Sequence, residues 1–302
     1  MTAAEVDLVS ATGPGVEGGR DPALLAEALD WLAEHAHENL GTEMVLRRAG
    51  SDPSWQITVG RLHGGLTGVS ASAPGGQWFL EATGPGAVDE FVSLVLRSDG
   101  PVWPTKVTAS GKIKAWLRPR LIECGAVINR EHDLLAMACR KPPSGGEGRW
   151  ATAADRPMLE RYQAAYNEER GTTTAYDWAM LLRRPVVAVL EEDRRIVAVV
   201  KRTADTAGYA TIGGTWTDPT HRQRGLAARL TAFIVGSLLA ERPAVHLVVD
   251  DDNTPAIALY RSLGFEELGG CYMAYLSAAG GEVRQLESRS SPTPGRLDSP
   301  CQ

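Results

Sequence analysis

The sequence predicts a mixed α+β chain of two domains that repeat one element order, and three observations carry this. In the second half, apolar periods near 3.6 and near 2 follow each other as two helices, three strands, helix, strand, helix, strand. The first half runs through much of the same order. Between them stands Lys141-Pro-Pro-Ser-Gly-Gly-Glu-Gly-Arg149, whose prolines and glycines break both periods. The expected bounds are a flexible leader over 1–20, an N-terminal domain over 21–140, a linker over 141–149, a C-terminal domain over 150–277 and a disordered tail over 278–302.

The leader is rich in Gly, Ala, Thr and Pro and shows no period. From Pro22 a helix is expected: Leu24, Leu25, Ala28, Leu29, Leu32 and Ala36 recur at three and four residues, with Asp21-Pro22 as its start. A second helical piece covers Asn39 to Leu46. Strands follow at Trp55–Leu62, Leu66–Ala73 and Gln77–Ala82, an antiparallel meander punctuated by Gly and Pro. After Thr83-Gly-Pro-Gly86 comes a helix with Val88, Phe91, Val92 and Val95 on one face. Val102–Ala109 contains a strand. Lys112–Cys124 is helical in pattern, with Pro119 set to kink or end it, and Asp133–Arg140 is a strand.

The second half reads more sharply. Asp155–Glu169 is a helix with Met158, Leu159, Tyr162 and Ala165 on one face, and Thr174–Arg184 is a shorter one. Pro185–Leu190 and Ile196–Arg202 are strands joined by the charged hairpin Glu191-Glu-Asp-Arg-Arg195, and Tyr209–Thr217 is the third. A long helix from about Arg224 repeats Leu226, Leu230, Ile234 and Leu238 and stops at Pro243. Ala244–Val249 has the pattern of a buried strand. Thr254–Leu263 is a helix with Pro255 near its start and Gly264 past its end, and Cys271–Leu276 is the last strand.

At 302 residues, 43% hydrophobic and 23% charged, the chain has a soluble globular composition and room for two domains. Its net charge of −6 argues against general nucleic-acid binding, which needs a basic face. Four cysteines without a C-x-x-C pair fit reduced thiols and no zinc pattern. No apolar run has the length of a membrane span and no signal peptide is visible, so a cytoplasmic protein without membrane or metal partners is expected. Monomer and homodimer both stay open.

The stretch from Gly213 to Leu230 joins a strand, a basic glycine-bearing turn and a helix. Such a turn lines up free backbone N–H groups at the positive end of a helix, where phosphate binds. Arg222 and Arg224 stand at that end although a cation there opposes the macrodipole, and an anion explains them. At Gly225 the backbone can approach such an anion closely.

The segment Arg222-Gln-Arg-Gly-Leu-Ala227 resembles the R/Q-x-x-G-x-G/A acetyl-CoA loop of the GNAT N-acetyltransferase superfamily, and Asn253-x-x-Ala256-x-x-x-Tyr260-x-x-x-Gly264-Phe265 resembles that family's second motif. Element order and the spacing of the two motifs agree over roughly 148–277. Ile212-Gly-Gly-Thr-Trp-Thr-Asp-Pro followed by His-Arg-Gln-Arg-Gly is similar to the I-G-x-V-Y-T-x-P-x-x-R-x-x-G phrase of acetyltransferases with an N-terminal GNAT-like half, and Glu168-Glu169 matches them too. The resemblance implies two GNAT-like domains in tandem, the C-terminal one with an intact acetyl-CoA loop. The first half lacks Arg-x-x-Gly-x-Ala, and its turn carries Pro85, which has no N–H. It reads as a copy that no longer binds CoA.

The resemblance further implies acetyl transfer from acetyl-CoA, as co-substrate, to a primary amine of a small molecule or protein, without a metal. The backbone of Arg222, Gln223, Arg224, Gly225, Leu226 and Ala227 would hold the pyrophosphate. Thr215, Trp216 and Thr217 would face the pantetheine arm and thioester. Tyr260 would protonate the leaving thiolate, since an ordinary phenol keeps its proton at neutral pH. Asn253 either caps its helix or contacts the cofactor arm. Glu168 and Glu169 would bind a cationic acceptor or relay its proton, or are solvated. Asp250-Asp-Asp252 is a second acidic candidate or a solvated loop. His221 is a phosphate-side residue, and His246, Cys271, Trp150 and Trp178 are read as structural. The alternatives are a non-catalytic acyl-CoA sensor and a mycothiol-synthase-like small-molecule acetyltransferase. An aminoacyl-tRNA-dependent transferase is disfavoured by the acidic chain and the intact loop.

Overall fold

The computed structural model describes residues 6–11, 21–35, 38–49, 54–96 and 103–279. The described residues divide into two compact units, one of those up to 137 with 248–254 and 267–279, the other of 138–247 with 255–266. The elements of the first half are β1 (Asp7–Ser10), α1 (Pro22–His35), α2 (Leu40–Ala49), β2 (Gln56–Leu62), β3 (Gly65–Ser72), β4 (Gln77–Ala82), α3 (Pro85–Val95), β5 (Lys106–Ser110), α4 (Lys114–Glu123) and β6 (Ala126–Cys139). Those of the second are β7 (Arg149–Trp150), α5 (Arg156–Arg170), α6 (Trp178–Leu181), β8 (Val187–Glu192), β9 (Arg195–Asp205), β10 (Ala210–Thr217), α7 (Leu226–Leu239), β11 (Val245–Asp250), α8 (Thr254–Ser262) and β12 (Glu266–Ala278). The two series have the same order, element for element.

In the first unit the strands lie in the order β1-β2-β3-β4-β5-β12-β6. The last described strand therefore lies in this unit from Glu267 on, apart from the other residues expected together over 150–277. β12 pairs antiparallel with β5, from Cys271 opposite Ser110 to Tyr275 opposite Lys106. Its alternating Tyr272, Ala274 and Leu276 enter a core with Trp78, Leu80, Phe91, Val107 and Leu117. Alternation in the sequence says that one face of β12 is buried, and leaves open against what. A second core in this unit joins Leu25, Leu32, Val45 and Leu46 of α1 and α2 to Ile57, Val59, Val69 and Ala71.

β1 lies within the stretch expected as a loose leader. It pairs with β2, Asp7 opposite Arg61 to Ser10 opposite Thr58. Four residues with mostly exposed side chains give no period to read, so its partner makes it a strand. Residues 1–5 and 12–20 of the expected leader and the tail from 280 onward lie outside the described residues. Pro119 stands inside α4, which continues past it to Glu123. The second expected helix of the second half shortens to α6, four residues begun by Asp177, whose carboxylate accepts the Met180 N–H.

In the second unit the strands run β11-β10-β9-β8-β7, antiparallel except for β10 beside β11. The charged hairpin turns at Asp193 and Arg194, whose φ of 48° and 62° suits a tight β-turn. On one face of the sheet, Leu159 and Tyr162 of α5 and Trp178 of α6 pack on Val187, Val189, Val199 and Trp216. α7 buries Leu226, Leu230, Ile234 and Leu238, the four-residue series of the sequence. The expected linker is strapped to α7: the Glu147 N–H donates to Arg229 O at 3.0 Å, and the two side chains form an ion pair.

Candidate active site

β10 is the strand around which the site forms. It pairs with β9 as Gly213 opposite Lys201 and then Trp216 opposite Val199, so three steps on β10 meet two on β9. The extra residue is a bulge at Gly214–Thr215, with Gly214 at φ 60°. Its other edge pairs with β11 only at Ala210 opposite Val245 and Thr211 opposite His246. From Ile212 to Thr217 that edge has no ladder with β11, and side chains take two of its carbonyls, Gly214 O from the Tyr162 hydroxyl and Thr217 O from Arg222 Nε.

The loop after β10 turns sharply. Asp218 accepts from the Thr220 N–H at 2.9 Å, and its hydrogen bonds with Thr220 hold its carboxyl below the ordinary range. The chain then passes through Gln223 at φ 60° and Gly225 at φ 73° into α7. Gly225 caps the helix without any side-chain bond, so the first-turn N–H groups of Leu226, Ala227 and Ala228 are without an intrahelical partner. Residues 222–225 are exposed, and space beside Gly225 is open. An uncapped, exposed helix start with a glycine at its mouth fits a phosphate group.

Both loop arginines hold carboxylates. Arg222 pairs with Glu169 at 2.6 Å and donates from Nε to Thr217 O at 3.0 Å. Glu169 also accepts from Trp216 Nε1 at 3.1 Å, and Arg222 holds its carboxyl below the ordinary range. Arg224 pairs with Glu192 at 2.8 Å. Glu169 thus ties the end of α5 to β10 and to the phosphate-type loop, while the neighbouring Glu168 is exposed.

Tyr260 comes to the bulge from α8, where Ile257 and Tyr260 are the buried pair. Its hydroxyl donates to Thr215 Oγ1 at 3.3 Å, and burial raises its pKa, so the phenol keeps its proton at neutral pH. Asn253 directly precedes α8, and its N–H donates to Asp250 O at 3.0 Å. Asp250 itself meets His132 Nδ1 at 3.1 Å. His221 Nδ1 lies 3.3 Å from Asp218. His246 is a core group, stacked on Tyr209 at 4.3 Å and driven by burial to a pKa of about 4, hence neutral. Cys271 is buried, its thiol pushed up to about 12. Trp178 is buried in the α5 core, and Trp150 packs on Phe233 at 5.7 Å.

One charged group at the bulge escapes the sequence reading, which passes over Lys201 as part of a strand. Lys201 is 5% exposed. Its Nζ lies 4.1 Å from the Tyr176 ring centroid and 5.5 Å from those of Tyr162 and Tyr166. Tyr162 in turn donates its hydroxyl to Gly214 O at 3.1 Å. The signal was present: Val197, Val199 and Lys201 alternate on one face of β9, so a lysine continues a buried stripe.

The equivalent place in the first unit is closed. β4 and β5 pair in parallel from Gln77 opposite Lys106 to Leu80 opposite Ala109. Just beyond, the fully buried Glu81 accepts from Ser110 N–H and, at 2.8 Å each, from Ser110 Oγ and Asn39 Nδ2. Its carboxyl thus staples together two strands that stand in the repeat where β10 and β11 part. The connection from β4 to α3 is Thr83-Gly84, with Pro85 already the first helical residue, against 218–225 in the second unit.

The acetyltransferase (GNAT) family model matches residues 152–265. An uncharacterized protein of Mycobacterium leprae (strain TN) is 43% identical over 127 residues, 41% of this chain, a match that spans 29% of that relative. Among solved structures, a GCN5-related N-acetyltransferase from Sphaerobacter thermophilus superposes with a TM-score of 0.53 at 17% identity, covering 90% of this chain and 96% of that one. A tandem GNAT protein from the clavulanic acid biosynthesis pathway superposes with a TM-score of 0.50 at 17% identity, covering 92% and 100%. At these identities the likeness is one of fold, and it extends over both halves.

Proposed function

With residues 152–265 a GNAT acetyltransferase domain, we propose that the protein transfers acetyl from acetyl-CoA to a primary amine by direct attack, without a covalent enzyme intermediate. The observation that carries this reading is β10 itself, unpaired with β11 beyond Thr211, bulged at Gly214–Thr215, and met there by the Tyr260 hydroxyl. The open edge of Thr215, Trp216 and Thr217 would pair with the pantetheine arm. The N–H groups from Arg222 to Ala227 would cup the pyrophosphate at the start of α7. A backbone N–H at the bulge would face the thioester carbonyl, where one fixed donor is worth about 2.7–4 kcal/mol as negative charge develops on oxygen.

In the transfer, the amine nitrogen forms a bond to the carbonyl carbon and the carbon–sulfur bond breaks. Tyr260 supplies its proton to the departing thiolate and recovers one from solvent. Asn253, at the head of α8, is the remaining candidate contact for the cofactor arm. Glu168, exposed at the end of α5, would attract a cationic acceptor, whereas Glu169 is engaged by Arg222. The acceptor is a small-molecule or protein amine in the cytoplasm.

The test is incubation with acetyl-CoA and a panel of amines, following free thiol and the mass of the acceptor. At least one amine should raise thiol release above hydrolysis and gain one acetyl group. Tight CoA binding with no acceptor in a broad panel would count instead for a sensor that has lost catalysis.

A further inference from the structure

Lys201 occupies a position that packing alone does not explain. It lies opposite Gly213 in the β9–β10 ladder, and its side chain runs beneath the bulge. A Cβ added at Gly214 would stand 2.5 Å from Lys201 Cε and 2.9 Å from Nζ. The amine therefore ends beside the backbone that, on the acetyl-transfer reading, receives the thioester. Three tyrosine faces surround it, two from α5 and Tyr176 from the segment before α6. Among the described residues no carboxylate forms an ion pair with it. A methionine or leucine would fill the same space without the cost of burying a charge.

We propose that Lys201 is the base that takes the proton from the acceptor ammonium, a role that rests on the acetyl-transfer reading above. An amine acceptor is mostly protonated at neutral pH and cannot attack until that proton leaves. The neutral Nζ accepts it, the freed amine forms its bond to the carbonyl carbon, thiolate departs with the proton from Tyr260, and the second proton that the nitrogen then carries passes to water, from which Tyr260 recovers its own. The Lys201 ammonium then rests against the tyrosine faces, which attract a cation, until it returns its proton to water.

The surroundings suit this cycle. Burial lowers the lysine to about 7, within reach of both states at neutral pH. The titratable groups facing it are Tyr162, Tyr166 and Tyr176, and burial holds the phenols of Tyr162 and Tyr176 protonated. Its ladder partners, Val187 on β8 and Gly213 on β10, carry no charge. On α5, Glu169 is committed to Arg222 and Trp216.

The experiment compares the pH profile of kcat for the wild type, Lys201→Met and Lys201→Gln with one accepted amine, alongside CoA affinity by calorimetry. Wild-type kcat should rise with pH through an apparent pKa near 7. Both variants should lose about 10²–10⁴ in kcat and lose that limb, with CoA affinity kept. In Lys201→Cys, alkylation with bromoethylamine should restore activity with a limb at lower pH, because the thioether weakens the amine. No transfer by the wild type to any amine overturns the acetyl-transfer reading and this one with it. Transfer whose limb persists unmoved in a CoA-binding Lys201 variant overturns the assignment of the base alone.

Discussion

Gly214 and Lys201 share one space: a Cβ at 214 would lie 2.5 Å from Lys201 Cε and would move the end of the lysine. The glycine is also held at φ 60°, where an L side chain costs roughly 1–2 kcal/mol. Gly214→Ala should therefore lose about 1–3 kcal/mol of stability in chemical denaturation and most of its kcat, because the methyl group displaces the amine from the bulge. An alanine variant with unchanged midpoint and kcat would show that the bulge and the lysine are independent.

The Tyr260 hydroxyl bonds to Thr215 at 3.3 Å, on the bulge itself. Tyr260→Phe keeps the ring that packs on Phe265 at 5.6 Å and removes only the proton donor. We expect kcat to fall about 10²-fold while CoA affinity and melting temperature stay close to wild type. Equal turnover by the phenylalanine variant would remove Tyr260 from the chemistry and favour solvent as the acid.

Glu169 offers a test of what the end of α5 does. It sits between Arg222 and Trp216 Nε1. Both partners of the ion pair are 42% exposed, so the pair itself contributes little stability. Glu169→Gln takes a negative charge away from the phosphate-type loop and releases Arg222. CoA should bind several-fold more tightly at low salt, with the gain fading as salt screens the loop, and kcat should stay within a few-fold of wild type. A large loss of kcat without change in CoA affinity would place Glu169 on the acceptor instead.

Much of this site was legible because its parts are local. The strand, glycine turn and helix around Gly225 follow each other in the chain, and the Asn253–Tyr260 spacing lies within one turn and helix. What stayed hidden was set by partners far away in sequence. Glu169 reads as an acceptor-binding or proton-relaying carboxylate, or a solvated helix end, until Arg222 is brought to it. Lys201 reads as a strand residue until α5 and the segment before α6 put three rings around it. β12 has a clear alternation, yet only pairing reveals that Tyr272 and Ala274 fill the first unit. β1 has almost no pattern of its own, and β2 supplies the order that its residues lack.

Glu81 makes the closing of the first unit measurable. It is fully buried at the end of β4, and burial raises its carboxyl from an ordinary 4.5 to about 7 despite the bonds from Asn39 and Ser110. The folded state therefore holds the proton more tightly than the unfolded one. The stabilisation from this proton is complete below about 4.5 and is lost as pH rises through about 7. Above that, an ionised carboxylate remains in the core at a cost of a few kcal/mol. Glu81→Gln keeps the shape and cannot ionise. Relative to wild type, the glutamine variant should gain several degrees in melting temperature between pH 5 and pH 8. Lys201 does not obscure the comparison, since it is present in both proteins. Parallel pH dependence of the two melting curves would mean that Glu81 stays charged throughout, and the staple between β4 and β5 would then be ionic from the outset.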